Sequence, residues 1–481
     1  MAKGGPGGAG GAGADASTAT GGSLAGGAGG SEPVSGGAPG WSASPDKAHY
    51  AKDGGTQPSG YPNVPTSVAI TPTGSVIVTG ISRPQLYFMG EPGTICATGG
   101  GSDGTTMFFD SSGTFTACTS VASTGDDAMN DLALDSTGYV DVVGSIGGET
   151  YIDGLKQTFH GDLDVFVAQL DLAGYLTWSK TFGYQGVQEA FGVATDAQNN
   201  MVIAGGFEGT IISGGDALNA VGSRSAFVFK LDREGSWQWG RSYGGGYAIA
   251  QSVGVSPDGH VFVVGQFDGP LDLGTSHYVS QGNLDMFVLA LDPDGEILWS
   301  KALGNAQAQT PTRIKVDPQG NVAVVGRSTG TLDFGGGAIE AARESVFFAW
   351  YSADGTHRWS QQYEIGDEPD LTPSRTSIAF DLSSNAIVAG AYTGSTDFGN
   401  GPLTSTKDAN VFLAAWTPTG APMWSHAYGA EGVQAARAVA YDPQGGLAVA
   451  GVFRDWLDFG AGPVGPTQTN GAMFVVKYAP W

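Results

Sequence analysis

The sequence predicts an all-β chain: a seven-bladed β-propeller with four antiparallel strands per blade. Three observations predict it. One turn recurs seven times, a second turn is locked to the same period, and the composition combines 80 Gly and 24 Pro with only 14% charged residues. By length alone, 481 residues would suggest two to four domains, but a repeat array can run this long as one body. Abundant backbone punctuation with little charge suits many short strands joined by turns.

The first turn stands at Thr71–Gly74, Asp135–Gly138, Asp196–Asn199, Ser256–Gly259, Asp317–Gly320, Asp381–Ser384 and Asp442–Gly445, about 60 to 64 residues apart. The second stands at Asp110–Gly113, Asp171–Gly174, Asp232–Gly235, Asp292–Gly295, Ser352–Gly355 and Thr417–Gly420. Asp can bond its own backbone and Gly can take positive φ, so both series read as tight hairpins. Turn chemistry accounts for the recurring Asp without a cofactor; calcium is the alternative.

Each unit then reads as four strands. The first alternates small or polar with apolar residues, as in Ser252–Val255. The second is a continuous apolar run such as Val261–Val264, ending on Gly265, and must be covered on both faces. The third carries a Phe: Phe166, Phe227, Phe287, Phe347, Phe412 and Phe474. The fourth carries Trp-Ser at Trp178, Trp299, Trp359 and Trp424, with Trp239–Gly240 as a variant and Ala117 in place of Trp in the first unit. Four-stranded units without helical periodicity stack radially as a propeller. The seventh unit supplies three strands, ending at Tyr478. The segment Trp41–Asp53, which opens with the Trp-Ser pair, is expected to complete the last blade as its outer strand.

Units such as Asp285–Gly295 followed by Leu298–Lys301 resemble the bacterial SBBP propeller repeat, and the chain looks like the Gly-rich, tethered propeller lipoproteins of myxobacteria. The resemblance covers residues 40–481. It implies the fold and carries no catalytic motif. It also implies that the first strand of each unit lies innermost, so that both tight turns share one face and the longer connections, such as Gln281–Asp285 and Gln361–Arg375, share the other. Variable loops on a rigid scaffold are where binding usually resides, so that face is the expected functional one.

Near the mouth of the expected channel one register holds Asn63, Asp127, Gln188, Ala248, Gln309, Pro373 and Gln434. The polar members Asn63, Asp127, Gln188, Gln309 and Gln434 could grip a small polar ligand, a glycan hydroxyl or a cation; a merely wet surface is the alternative. The long loops of the last four units repeat Asp272, Asp333, Asp397 and Asp458, which suit bonds to their own loop backbone. Cys96 and Cys118 both fall in the first blade, toward the loop-bearing face. A disulfide there would staple the blade that lacks its Trp and imply an oxidising compartment, with two free thiols as the alternative.

Lys+Arg total 21 against 46 Asp+Glu, a net charge of -25, which argues against nucleic-acid or anionic-membrane partners. No apolar run is long enough to span a bilayer. Residues 1–39 read as a disordered Gly/Ala-rich tether, with residues 40–481 as the propeller. A tether with nothing ahead of it suggests an export or anchor segment removed. None of the six His pairs at a metal-ligand spacing, and neither a Gly-x-Ser-x-Gly elbow nor a phosphate loop precedes a helix. The expectation is a monomeric, secreted or surface-tethered, non-enzymatic module for a protein or glycan. The alternatives are a carbohydrate hydrolase or lyase with paired carboxylates at the channel mouth, or a purely structural surface component.

Overall fold

In the computed structural model, strands paired in antiparallel sheets account for all the regular secondary structure of the described residues, and no helix occurs among them. Those residues are 49–53, 63–82, 86–88, 95–96, 101–152, 155–213, 216–366, 375–405, 408–429, 431–460, 463, 465 and 471–478. The tether, Trp41, Pro373 and the 39/40 boundary lie outside them.

The first unit is a meander of Val64–Ile70, Val76–Ser82, Asp103–Phe109 and Phe115–Val121, and the second, fifth and sixth units repeat that order. The third and fourth units share one sheet. A single strand, Trp237–Val255, is the outer strand of the third unit through Tyr243 and the inner strand of the fourth from Gly244 onward. Glycines 244 to 246 permit the crossing: Gly245 has φ +140, and a Cβ on Gly246 would lie 2.3 Å from the Asp268 carbonyl oxygen.

The tight turns are built as the sequence suggests. Asp317 Oδ1 accepts the N–H groups of Gln319 and Asn321 at 2.9 and 2.8 Å, while the Gly320 N–H donates to the Asp317 carbonyl at 2.9 Å. Asp110, Asp135, Asp171, Asp196, Asp232, Asp292 and Asp381 make the same pair of side-chain bonds. The second-strand glycines answer a packing demand. A Cβ on Gly265 would sit 2.1 Å from the Ile249 carbonyl oxygen and 2.4 Å from the ring of Phe287. A small residue there lets the third-strand Phe close over the sheet.

Neighbouring units are joined at the outer strand. The indole N–H of Trp178 donates to the Arg233 carbonyl (3.2 Å), Trp239 to Pro293 (3.0 Å), Trp299 to Ala353 (2.8 Å) and Trp359 to Pro418 (3.2 Å). Each ring also covers the turn glycine of the next unit, Gly235, Gly295, Gly355 or Gly420. In the first unit Ala117 faces Gly174 instead, and Cys118 beside it is bonded to Cys96 in a disulfide with Cα atoms 5.8 Å apart.

The last unit meets the first. His49–Asp53 pairs antiparallel with Ala472–Tyr478, with His49 opposite Val475 and Lys52 opposite Ala472, so it holds the fourth-strand place in that sheet. On its other side it pairs with Leu86–Phe88 from the first unit. Lys477 Nζ donates to the Gly74 carbonyl at 2.6 Å, and Val68, Val76 and Val78 share one apolar cluster with Ala448, Ala450, Met473 and Val475.

Candidate functional site in the inner strands

The first strand of each unit packs against the first strand of the next, and Gln434–Tyr441 of the last unit packs against Val64–Ile70 of the first. Two side-chain positions fasten them. One residue before the central apolar residue, Asp131, Ser252 and Ser377 accept the backbone N–H of Val193, Ile314 and Val439 in the following unit, each at 3.3 Å. One residue earlier, Thr66 donates to the Met129 carbonyl (2.6 Å) and Asn130 to that of Ala190 (2.8 Å). Arg437 Nε donates to the Pro65 carbonyl at 3.2 Å, which is the same bond made from the seventh unit to the first.

Against this regular lacing stand three cations. Arg313, at the register of Ser252 and Ser377, reaches past its neighbours to the first two units. Its guanidinium donates to the Thr66 carbonyl at 2.7 Å and pairs with Asp131 Oδ2 at 2.8 Å, with both side chains only 4% exposed. Lys315 and Arg375 lie close enough to sense that pair. Burial holds the Lys315 ammonium below its usual range, with Asp131 opposing the shift and Arg313 adding to it. Burial together with Arg313 pushes the Arg375 guanidinium down to about 10, against the pull of Asp131. Three positive charges thus share one carboxylate inside a protein whose net charge is -25.

The mouth register behaves otherwise than expected. Asn63, Asp127, Gln188, Gln309 and Gln434 are all at most 2% exposed. Asp127 accepts the Ser123 and Gly147 N–H groups, the latter at 2.9 Å. Gln188 Nε2 donates to the Gln185 and Glu208 carbonyls, each at 2.9 Å, and Gln434 Nε2 to those of Glu431 and Trp456 at 3.1 and 2.7 Å. Gln309 Nε2 bonds Asn305 Oδ1 and the Gln307 carbonyl. The carboxylate of Asp127 and the amides of Gln188, Gln309 and Gln434 hold loop backbone from beneath. These bonds fasten the loops above the register at Asp127, Gln188, Gln309 and Gln434, and a ligand grip by the register stands as a proposal.

The long-loop acids are engaged in the same way. Asp333 Oδ1 accepts the Gly335 and Gly337 N–H groups at 2.7 and 3.0 Å, Asp397 those of Gly399 and Gly401, Asp272 that of Gly274 and Asp458 that of Gly460. Among the described residues no three His, Cys, Asp or Glu side chains converge as a metal ion would require. No helix of the described residues is long and apolar enough to cross a membrane. A peripheral cleft of about 410 Å³ between the third and fourth units is lined by Tyr243, Asp272 and the Arg241–Glu296 ion pair (2.7 Å).

No protein-family model matches the chain. An uncharacterized WD repeat-containing protein of Acanthamoeba polyphaga mimivirus is 21% identical over 169 residues, which is 31% of this chain and 12% of that much longer relative. Among solved structures, hydrazine synthase of Kuenenia stuttgartiensis aligns with a TM-score of 0.44 and 11% identity over 82% of this chain and 95% of its own. Sqt1 of Chaetomium thermophilum gives 0.40 and 15% (87% and 88% covered), and an ulvan lyase of polysaccharide lyase family 25 gives 0.41 and 10% (82% and 92%). The all-β, repeat-like fold rests on the chain's own strands and sheets, and no activity transfers at these levels of likeness.

Proposed function

We propose that the chain is a closed, seven-bladed propeller of SBBP type, carried on its N-terminal tether outside the cytoplasm, and that it works as a non-enzymatic binding module. The observation that carries the closed ring is the Arg437-to-Pro65 bond, which repeats the unit-to-unit lacing between the two ends of the array. The Cys96–Cys118 disulfide supports an oxidising compartment. Binding rather than catalysis is supported by the side chains that recur in register: the turn, long-loop and mouth acids and amides hold backbone.

Two truncations test the closure. Removing residues 1–38 is expected to leave the melting temperature unchanged, whereas removing 1–58 takes away the strand His49–Asp53, bares the edge of Ala472–Tyr478 and promotes aggregation. Equal behaviour of the two proteins would refute the ring. For the function, a glycan array with a parallel calcium titration is expected to yield saturable binding without turnover. Release of shortened or unsaturated sugars from a polysaccharide panel would establish the hydrolase or lyase reading instead.

A further inference from the structure

Where the third unit meets the fourth, a tyrosine hydroxyl is left over. Opposite the second residue of the third strand, the outer strand carries Phe182, Tyr243, Leu303, Tyr363 and Tyr428 in the second to sixth units. The following unit answers this residue with the end of its own third strand. Tyr363 accepts the indole N–H of Trp416 at 3.1 Å, and Phe182, which needs no polar partner, shares its apolar cluster with Leu231. Tyr243 has neither arrangement. The residue at the place of Trp416 is Leu291, in the same apolar cluster as Tyr243, and it offers nothing to bond. The Tyr243 hydroxyl is buried without a hydrogen-bond partner, on a residue only 6% exposed. Burying a hydroxyl unpaired is unfavourable, and a phenylalanine, as at position 182, would avoid it.

Tyr243 lines the cleft of about 410 Å³ between the two units, together with Val221, Ile297, Asp272, Arg241 and Glu296. Its hydroxyl feels the charges of both Arg241 and Glu296, which places it toward the wall that carries them. Arg241 has little left for an anion. Its Nη2 donates to Glu296 at 2.7 Å and to the Asp294 carbonyl at 3.2 Å, and its Nη1 to the Gly240 carbonyl at 3.1 Å. The carboxylates differ: Asp272 Oδ1 accepts the Gly274 N–H at 2.8 Å, but the Asp272 and Glu296 side chains are 58% and 72% exposed and keep lone pairs open to a donor. We infer that this cleft binds a neutral sugar residue, whose hydroxyls donate to Asp272 and Glu296 while one of them pairs with the Tyr243 hydroxyl. A sugar hydroxyl both donates and accepts, so it satisfies the tyrosine in either sense. Val221 and Ile297 supply apolar surface for the C–H side of the ring, and the volume suits a ligand of one or two rings. The inference rests on the binding role proposed above and deepens it, naming a site apart from the mouth register and the class of ligand it takes.

The test is ligand-observed saturation-transfer NMR on the full chain, titrated with glucose, galactose, mannose and N-acetylglucosamine, with glucuronate and ethanolamine as charged comparators. Saturable binding of at least one neutral sugar is expected, with both comparators weaker. Tyr243→Phe removes the hydroxyl and keeps the ring, and should weaken that sugar about fivefold. Without sugar it should melt no lower than the wild type, because the hydroxyl has no partner to lose; a clearly lower melting temperature would give it a structural role and overturn the proposal. Asp272→Asn retains an oxygen for the Gly274 N–H and should also weaken the sugar about fivefold, which gives a second reading from an exposed position. Stronger binding of glucuronate or ethanolamine than of every neutral sugar overturns the ligand class. Glycan-array binding by the wild type that both variants keep unchanged overturns the cleft while the binding role stands; an array without any hit, together with silent titrations, removes both.

Discussion

At the outer edge of the second to fifth units, Trp178, Trp239, Trp299 and Trp359 meet the next unit's turn in one geometry, each indole covering a glycine and donating to a carbonyl. The inner strands of those same units carry Asp131, Gly192, Ser252 and Arg313 at a single register. The difference follows from where each contact is made. At the rim, every unit touches one neighbour, so one solution can be copied indefinitely. On the inner strands the copies converge, and a charge repeated there would face its own kind. Arg313 can be accommodated once, because one Asp131 and one free Thr66 carbonyl lie within its reach. Regularity at the rim maintains the fold; irregularity inside gives this chain its individual chemistry.

The largest expected effect tests the inner region. Arg313→Ala leaves Asp131 with a buried, unpaired carboxylate and should destabilise by about 3–5 kcal/mol in a urea titration. Arg313→Ser combined with Asp131→Ser, both residues found at this register in other units, should recover most of that loss. A single variant costing under about 1 kcal/mol would mean that the pair does not hold the inner strands together. At the rim, Trp299→Ala should cost about 2–3 kcal/mol, less than a fully buried Trp because the ring is only half-buried. Trp299→Phe should lose only about 1 kcal/mol, the worth of the Ala353 bond. Equal losses for the two would show that the hydrogen bond, not the ring, joins the units.

A pH effect sharpens the contrast through Asp141, which stands where other units have Ile77, Val202, Phe262, Ala323, Ile387 and Ala448. Burial raises its carboxyl to about 7, against bonds donated by Gln169 and Thr195. The folded state therefore retains a proton that the unfolded chain, ionising near 3.8, has released, so stability should fall as pH rises from about 4 to about 7 and then level off. Asp141→Asn should flatten this profile and add about 1–3 kcal/mol above pH 7. A wild-type profile already flat between pH 4 and 7 would contradict the shift.

The units, their strands and their turns were legible because each depends on short-range chemistry: an Asp two and four residues before the N–H groups it binds, or a Gly where φ is positive. The indole-to-carbonyl bonds at the rim were not, since their partners lie 54 to 59 residues downstream, as with Trp239 and Pro293. The mouth register was located by spacing, but spacing does not say which way an amide points, and Gln188 turns its amide under its own loop. Arg313, Lys315 and Arg375 escaped for the opposite reason. Attention to what recurs passes over what does not, and the signal was a Lys in a column of Ala. Such breaks can be read from the sequence once the units are aligned strand by strand.

The uninterrupted strand Trp237–Val255 has a consequence for how the molecule opens. Between the first and second, second and third, and fourth and fifth units the chain passes through a short stretch outside the ladders (122–127, 183–187 and 304–308), where one unit can fray without the other. Across residues 237 to 255 the hydrogen-bond ladder continues from one unit into the other. The expected consequence is that opening of the third unit is coupled to opening of the fourth, which hydrogen exchange across residues 237 to 255 would read as similar protection on both sides of Gly244.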